Sequence, residues 1–365
     1  MLDKKRSVID MMTANIAGLE KKISKIIMGT MIIGLQNYDE STALLDYAMG
    51  LGINAFDIAN VYGGGDSERA IGKWMEERGN REDVFIITKG AHPNRDRKRV
   101  TPYDITADLM DSLARLRTGY IDVYLLHRDD PDLPVGPIMD CLNEHREAGR
   151  IRAFGGSNWT HRRIIEANAY AAAQGRGRSR EQERGQSQGQ EQVHGHGQVQ
   201  GQGQVQAKEQ AQAPMTVSSP NYGLCEQVED PWGPGCVTIS GDVGSEARAF
   251  YIRENMPVMA YSSLGRGMLS GRVTRENYKE LLDGAALKAY AHEVNFERLG
   301  RARELAAQMG SISVPQIGLA YILNQPMNVF PIVGAATAKE LDEAAASVDI
   351  KLTTSEIEWL ETGKS

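Results

Sequence analysis

Cysteine is scarce in this chain: its 365 residues include only Cys141, Cys225 and Cys236. An odd, sparse count without paired spacing excludes a disulfide framework and a zinc motif, and it favours a reducing compartment. Long apolar runs are also missing. The longest, residues 26–35, is interrupted by glycine and threonine and is far shorter than the roughly 20 residues of a membrane helix. We therefore expect a soluble cytoplasmic protein with no membrane partner.

The chain also lacks an excess of positive charge. Its 41 Lys and Arg against 48 Asp and Glu give a formal net charge of −7. A protein that binds phosphate backbones carries a positive excess, so we expect no nucleic-acid partner. Apolar residues make up 41%, which is enough to build a large core.

Residues 174–213 lack large apolar side chains almost completely and consist mostly of Gln, Gly, Glu and Arg. Such a segment cannot bury enough surface to offset the entropy lost on ordering. We predict a disordered insertion, and a Gln-rich arm that binds a partner is the alternative. The predicted domain organisation is an N-terminal extension at 1–21 and a single domain at 22–365, interrupted by 174–213.

Outside that insert, short apolar runs alternate with amphipathic helical patterns, among them residues 40–49, 106–116 and 138–148. Eight strands that each lead into a helix or loop predict an α/β protein with a single (β/α)8 TIM barrel. A doubly wound sheet is the alternative, but no Gly-x-Gly-x-x-Gly follows the first strand. The predicted strands are 23–28, 55–57, 84–89, 121–126, 153–157, 216–219, 257–261 and 329–333.

Three successive predicted strands finish with a polar group: Asp57, Lys89 and His127, and Tyr62 follows Asp57 by five positions. Each residue alone fits a cap, a rim position or a core histidine, but in such barrels the strand ends also carry the catalytic groups. A buried charge needs a partner, so we expect Asp57 to hold Lys89.

A phenol whose pKa is near 10 is a poor acid at pH 7, and a nearby ammonium lowers that pKa. Tyr62 is therefore predicted to protonate a carbonyl oxygen as hydride reaches the carbon, and His127 to place the substrate. A metal-dependent hydrolase would need several ligands at the strand ends, where only His127 of the seven histidines falls. No metal is expected.

This set of four resembles the catalytic tetrad of the aldo-keto reductase family, from residue 22 to about 360 outside the insert. Tyr62 lies in Asp-x-x-x-x-Tyr-Gly and His127 in Leu-Leu-His-Arg-Asp-Asp-Pro. Together with Gly265-Arg266-Gly267-Met268, these motifs resemble the bacterial and fungal branches. The resemblance implies an enzyme that reduces an aldehyde or ketone with a nicotinamide cofactor. A non-catalytic barrel, acting as a nicotinamide-sensing or channel-associated subunit, is the alternative.

The resemblance also implies how the cofactor is held. Ser157 and Asn158 would hold the nicotinamide carboxamide, and Tyr261 would stack on the nicotinamide ring. The small residues after Tyr261 would let the backbone approach the pyrophosphate, with Arg266 nearby. The implied cofactor contacts are Thr30, Asp57, Ser157, Asn158, Ser219, Tyr261, Ser262, Leu264, Arg266, Gly334 and Lys339.

Two positions depart from the family pattern. Ser219 stands where many relatives have Gln, and Asn221 is expected to substitute for it. The loop after the eighth strand offers only Lys339, beside Glu340, for a 2′-phosphate. We favour NADP(H) over NAD(H), with both open, and expect a small-molecule carbonyl substrate, bulky or aromatic. A monomer or weak oligomer is expected.

Overall fold

The computed structural model of the chain describes residues 11–188 and 212–364. Within these ranges eight parallel strands, β3 to β10, close into a barrel in chain order, with β10 paired to β3. The predicted (β/α)8 fold is therefore confirmed. The strands are β1 (Thr13–Ala14), β2 (Ile23–Ser24), β3 (Ile27–Gly29), β4 (Ala55–Asp57), β5 (Phe85–Gly90), β6 (Ile121–Leu126), β7 (Ile151–Ser157), β8 (Val217–Ser219), β9 (Val258–Ala260) and β10 (Val329–Gly334).

Helices follow the barrel strands and cover the outside of the barrel. α3 shows why they form here: Thr101 accepts a hydrogen bond from the Asp104 N–H, Pro102 occupies the first turn, and both features favour a helix start. The helices are α1 (Tyr38–Gly50), α2 (Asp66–Arg78), α3 (Pro102–Arg115), α4 (Val135–Glu147), α5 (His161–Gln188), α6 (Ser245–Glu254), α7 (Tyr278–Leu281), α8 (Gly284–Tyr290), α9 (Glu293–Gln308), α10 (Val314–Leu323), α11 (Ala338–Ala346) and α12 (Thr354–Thr362).

Side chains along each barrel strand alternate between two cores, one inside the barrel and one under the helices. In β5, Phe85 and Ile87 belong to the cluster inside the barrel, whereas Ile86 packs against the surrounding helices. β6 repeats the pattern with Val123 and Leu125 inside. A strand has a side-chain period of two, so every second residue of each barrel strand faces the interior.

The bottom of the barrel differs from the prediction. Residues 23–28 are not one strand: β2 pairs with β1 in an antiparallel ladder, and β3 alone joins the barrel. The Ser24 hydroxyl donates to the Ile26 carbonyl (2.7 Å), which turns the chain between them. Ile16 from the β1–β2 connection is buried within the interior cluster. The separation of residues 1–21 as an extension stays a prediction.

The predicted insert lies partly outside the described residues, which omit 189–211. α5 continues to Gln188; the Gln, Glu and Arg of residues 174–188 favour a helix, and the three glycines among them oppose it. At the other end, the Gln212 amide donates to Asp140 (2.7 Å) and the Ala213 N–H to Asn143 (2.7 Å). The last residues of the predicted insert are therefore anchored on α4.

Across residues 11–188 and 212–364, every helix is too short or too polar to cross a membrane.

Candidate active site

The alternation that builds the interior core also collects the predicted site residues. Asp57 is two positions after the interior Ala55, Lys89 two after Ile87, and His127 two after Leu125. Counting two positions on from an inward-facing residue also reaches Ser157, Ser219 and Tyr261, at the ends of the next three strands. Parallel strands end at the same edge of a barrel, so these side chains meet at one mouth.

Lys89 is the centre of the arrangement. Its ammonium lies 2.7 Å and 2.8 Å from the two Asp57 carboxylate oxygens, and it donates to the Ile58 carbonyl (2.8 Å) and the Tyr62 hydroxyl (3.3 Å). Asp57 and Lys89 are each 3% exposed. Burial disfavours the ammonium, but Asp57 and then Tyr62 outweigh it and raise the Lys89 pKa. Lys89 therefore stays charged.

A run of glycines places Tyr62. Gly63, Gly64 and Gly65 have φ values of 57°, 62° and 89°, in the left-handed region that glycine adopts at least cost. A Cβ on Gly65 would lie 2.5 Å from the Arg115 guanidinium. These residues turn the chain directly after Tyr62 and leave its hydroxyl on Lys89.

The pKa of Tyr62 differs from the sequence-based prediction. Burial raises the Tyr62 pKa above 10.0, and the Lys89 ammonium opposes that rise while Asp57 adds to it. The prediction of a lowered pKa was right for the effect of Lys89 and wrong for the net direction. Tyr62 is thus a neutral phenol at pH 7, which is the form that donates a proton.

His127 faces Tyr62 from the other side. The two rings lie 6.1 Å apart, edge to face, and the His92 ring lies 4.8 Å from the His127 ring. Burial, then the charges of Lys89, His92 and Arg128, lowers the His127 pKa well below 6.5. His127 is therefore neutral at pH 7, able to accept at one ring nitrogen and donate from the other.

Asn158 joins four elements of the mouth. Its amide NH₂ donates to the His127 carbonyl (3.2 Å) and the Ser157 hydroxyl (3.3 Å). Its amide oxygen accepts from the Tyr261 hydroxyl (2.8 Å) and the Val237 N–H (3.1 Å). The Ser157 hydroxyl in turn donates to the Ser219 carbonyl (3.0 Å). Ser157, Asn158, Ser219 and Tyr261 thus form one connected group beside the tetrad.

The loop after β9 also turns through left-handed residues. Ser262 and Arg266 have φ values of 53° and 49°, and the Ser262 carbonyl accepts from the Gly265 N–H (2.8 Å). Arg266 pairs with Asp283 (2.6 Å). Leu264 packs against the outer core, so only its backbone is available at the mouth.

Three further predicted contacts are less favourably placed. Thr30 is fully buried, and its hydroxyl donates to the Asp57 carbonyl (2.9 Å) and contacts the Ser67 hydroxyl (3.0 Å). Gly334 ends β10 and is exposed. Lys339 has an 85% exposed side chain that approaches Glu343 (3.9 Å). The backbone groups of Thr30 are also hydrogen-bonded within the protein, its N–H to the Asp57 carbonyl (3.1 Å) and its carbonyl to the Ser67 hydroxyl (3.0 Å). Direct cofactor contacts by Thr30 and Lys339 stay predictions.

The side chain of Asn221, which is expected to substitute for the Gln that Ser219 replaces, is hydrogen-bonded within the protein. Its amide NH₂ donates to the Tyr290 hydroxyl (2.8 Å) and the Tyr261 carbonyl (3.3 Å), and its oxygen accepts from Thr238 (2.9 Å). Both ends of the side chain are engaged in holding the loop between β8 and α6. A substitution of Asn221 for that Gln would require these bonds to be exchanged, and it stays a prediction.

Sequence reasoning missed residues that the structure brings to the mouth. They include His92, beside His127, and Trp232, whose ring lies 6.2 Å from that of Tyr261. Trp232 belongs to the 225–241 loop, and nothing in its local sequence points toward the barrel. Arg128 is another residue at the mouth. Its position directly after His127 in the sequence was a signal that could have identified it.

The mouth contains buried polar atoms without a hydrogen-bond partner among the described residues: the Ser219 hydroxyl, Nδ1 of His127 and Nε of Arg266. Such atoms are rare in folded proteins unless a ligand or water satisfies them. A hydroxyl suits a carboxamide, and a guanidinium N–H suits a phosphate oxygen. The residues present therefore fit a nicotinamide dinucleotide. In the part of the chain that the structure describes, no cluster of His, Cys, Asp and Glu is arranged to hold a metal ion.

Comparison with known proteins agrees with this geometry. The sequence model described as "Aldo/keto reductase family" matches residues 25–175 and 209–362. Versiconal hemiacetal acetate reductase from Aspergillus parasiticus is 28% identical, over 93% of this chain and 93% of that protein. An uncharacterized oxidoreductase from Bacillus subtilis is 25% identical, over 91% and 89%. The solved glycerol dehydrogenase from Gluconobacter oxydans superposes with a TM-score of 0.70 at 23% identity, over 96% of this chain and 94% of that one.

Proposed function

Because this chain belongs to the aldo/keto reductase family and is an NAD(P)H-dependent oxidoreductase, we propose that Tyr62 is the proton donor in its reduction of an aldehyde or ketone. One observation carries the proposal: the hydroxyl of the partly buried Tyr62 lies 3.3 Å from the Lys89 ammonium, which Asp57 holds. A screen of aldehydes and ketones, followed by NADPH and NADH absorbance in parallel, tests the activity directly.

The chain's own residues divide the chemistry. Bound NAD(P)H supplies the hydride that reaches the carbonyl carbon. His127, neutral at pH 7, donates a hydrogen bond to the carbonyl oxygen and orients it. Tyr62 transfers its proton to that oxygen as negative charge develops there. Lys89 stabilises the resulting phenolate, and Asp57 keeps Lys89 charged and in place.

For the cofactor, we propose that Ser157, Asn158 and Ser219 hold the carboxamide and Tyr261 packs on the nicotinamide ring. Asn158 is already bound to Tyr261 and to the Val237 N–H, so binding requires these bonds to be exchanged. Backbone at residues 262–266 and the Arg266 side chain would meet the pyrophosphate. The relatives named above are a reductase and an oxidoreductase, so a non-catalytic subunit is not favoured.

The reduction rate is expected to stay flat from about pH 6.5 to 10. The His127 pKa lies well below 6.5 and the Tyr62 pKa above 10.0, so neither group titrates between these values. Reduction needs protonated Tyr62. The rate is therefore at its maximum below the Tyr62 pKa and falls as the pH rises through that pKa. The measurement is kcat/KM against pH. An inflection near pH 6.5 that vanishes in His127→Ala would contradict the neutral histidine.

Cofactor preference is expected to respond to Glu340. Its carboxylate accepts from the Ala336 N–H (2.7 Å) at the start of α11. We expect Glu340→Arg to give a 2′-phosphate a bidentate partner and to tighten NADPH binding by about 1–2 kcal/mol, while NADH changes little. Fluorescence titration with both cofactors measures the ratio.

Glu147→Arg is the matched control, because it makes the same charge change at an exposed glutamate at the end of α4, away from the loop after β10. If both variants alter the NADPH/NADH ratio equally, the effect is long-range charge and not a contact at the loop. An unchanged ratio in Glu340→Arg would show that this loop does not face the adenosine.

A further inference from the structure

Arg128 is a cation at the mouth that has no negatively charged partner within residues 11–188 and 212–364. Its guanidinium donates to the His127 carbonyl (3.2 Å) and the Cys236 sulfur (3.5 Å), and its own carbonyl accepts from the Trp159 indole (3.1 Å). Burial raises the Cys236 pKa to about 12, so this thiol is neutral. Neither partner compensates the charge of Arg128.

The acidic side chains near Arg128 in the sequence or on the 225–241 loop are bound elsewhere. Asp129 pairs with Arg163 (3.3 Å), Asp130 and Asp132 pair with Lys98 (2.6 Å and 3.1 Å), and Glu226 pairs with Arg298 (2.5 Å). Glu229 lies 4.0 Å from His292, and Asp230 accepts hydrogen bonds from the N–H groups of Trp232 (3.3 Å) and Cys236 (3.0 Å). Among the described residues, no carboxylate forms an ion pair with Arg128. A partly buried charge is costly without a counter-ion, so the position favours an anionic ligand.

The place of Arg128 relates it to the candidate chemistry. Its charge contributes to the low pKa of His127 and His92 and opposes the raised pKa of Tyr62 and Tyr261. The guanidinium therefore lies within electrostatic reach of both the candidate proton donor and the aromatic ring across the mouth. A substrate group bound there would have its carbonyl near Tyr62.

The end of the barrel that carries this cation also exposes apolar side chains. The loops after β3, β4 and β8, which lie at the same end of the barrel, carry partly exposed hydrophobic side chains. These are Met31 (63% exposed), Ile32 (49%), Val61 (38%) and Trp232 (49%). Such side chains suit an aromatic or otherwise apolar body, and a cation at the same end of the barrel suits one charged end.

We propose that Arg128 binds the carboxylate of the substrate, so that this enzyme prefers aromatic aldehydes or ketones that carry a carboxylate. The inference rests on the proposed function and names its substrate class. A phosphate would share the same oxyanion chemistry. A guanidinium fork matches either group. We assign a carboxylate because Arg128 carries one positive charge, which balances a carboxylate, whereas a phosphate ester carries about two negative charges.

The test compares para-carboxybenzaldehyde, para-methylbenzaldehyde and para-formylphenyl phosphate as substrates of the parent and of Arg128→Met. The parent is expected to favour the carboxylate over the methyl compound. Arg128→Met should lower kcat/KM for the carboxylate by about 10- to 100-fold, the usual range for a hydrogen bond to a charged group. The methyl compound should change by less than about threefold. Arg128→Lys keeps the charge but loses the planar pair of donors. Its kcat/KM for the carboxylate should therefore lie between those of the parent and of Arg128→Met.

Arg152→Met is the matched control, since Arg152 is an exposed arginine near the start of β7, at the opposite end of the barrel. Arg152→Met should leave kcat/KM unchanged for all three substrates. Equal losses for the carboxylate and methyl compounds in Arg128→Met would mean that Arg128 only supports the fold of the mouth, and would overturn the inference. So would a parent with no preference for the carboxylate, or one that favours the phosphate.

Benzoate binding, measured by calorimetry without turnover, separates this inference from the proposed function. If neither these three aldehydes nor any compound of the wider carbonyl screen is reduced, the proposed function fails, and benzoate decides the inference. Benzoate binding that weakens at least tenfold in Arg128→Met supports the carboxylate site. Binding that is absent in the parent or unchanged in the variant overturns it.

Discussion

Replacing Tyr62 with phenylalanine is expected to lower the rate of carbonyl reduction by about 100- to 10,000-fold, the usual contribution of general acid catalysis. The substitution removes one oxygen and barely changes the volume. The Asp57–Lys89 pair, at 2.7 Å, does not depend on that oxygen. Fold and cofactor binding should therefore survive while the proton source is lost. Single-turnover NADPH oxidation measures the rate, and cofactor fluorescence measures the binding.

Tyr103→Phe is a suitable control, because it removes the same atom from a side chain that is 80% exposed at the start of α3. Its rate should match that of the parent. A Tyr62→Phe protein that binds cofactor normally and reduces its substrate within about threefold of the parent, far below the expected penalty, would remove Tyr62 from the proposed role.

Lys89→Met is expected to affect both stability and activity. Lys89 and Asp57 are buried, and removing one member of a buried ion pair leaves an uncompensated charge, which typically costs about 3–5 kcal/mol. The free energy of unfolding should fall by that amount. Activity should nearly disappear, because Tyr62 loses the cation that stabilises its phenolate. Denaturant unfolding and single-turnover rates provide the two measurements.

A double variant separates the two effects. Asp57→Asn combined with Lys89→Met removes both charges, so much of the lost stability should return while activity stays absent. If the double variant is no more stable than Lys89→Met, the stability loss comes from packing and not from the unpaired carboxylate.

Lys25→Met is the matched control. Lys25 is a partly buried lysine that contacts Asn328 and the Val329 carbonyl, and among the described residues no carboxylate pairs with it. It lies beyond the opposite ends of the strands from Tyr62, so the reduction rate should not change. A loss of activity as large as that of Lys89→Met would show that the assay reports unfolding rather than chemistry.

The eight barrel strands and the position of the tetrad could be predicted from the sequence. A period of two along apolar strands fixes which side chains face inward, and parallel strands bring their ends to one mouth. Asp57, Lys89 and His127 each follow an interior residue by two positions, so local pattern was sufficient. The exception was the first strand, where the Ser24 hydroxyl turns the chain and the β1–β2 ladder takes its first residues.

The sequence by itself therefore determined the barrel, the strand ends and the residue types that meet there, because these follow from short-range periodicity. The tertiary structure alone decided how each group behaves. Burial outweighs Lys89 at Tyr62, Asn221 donates to Tyr290, and Arg128 has no counter-ion in the part of the chain that the structure describes. Each outcome depends on solvent exclusion or on partners far apart along the chain, such as Asn158 with Val237 and Tyr261, 79 and 103 positions away. A local sequence pattern does not predict contacts between residues so far apart along the chain.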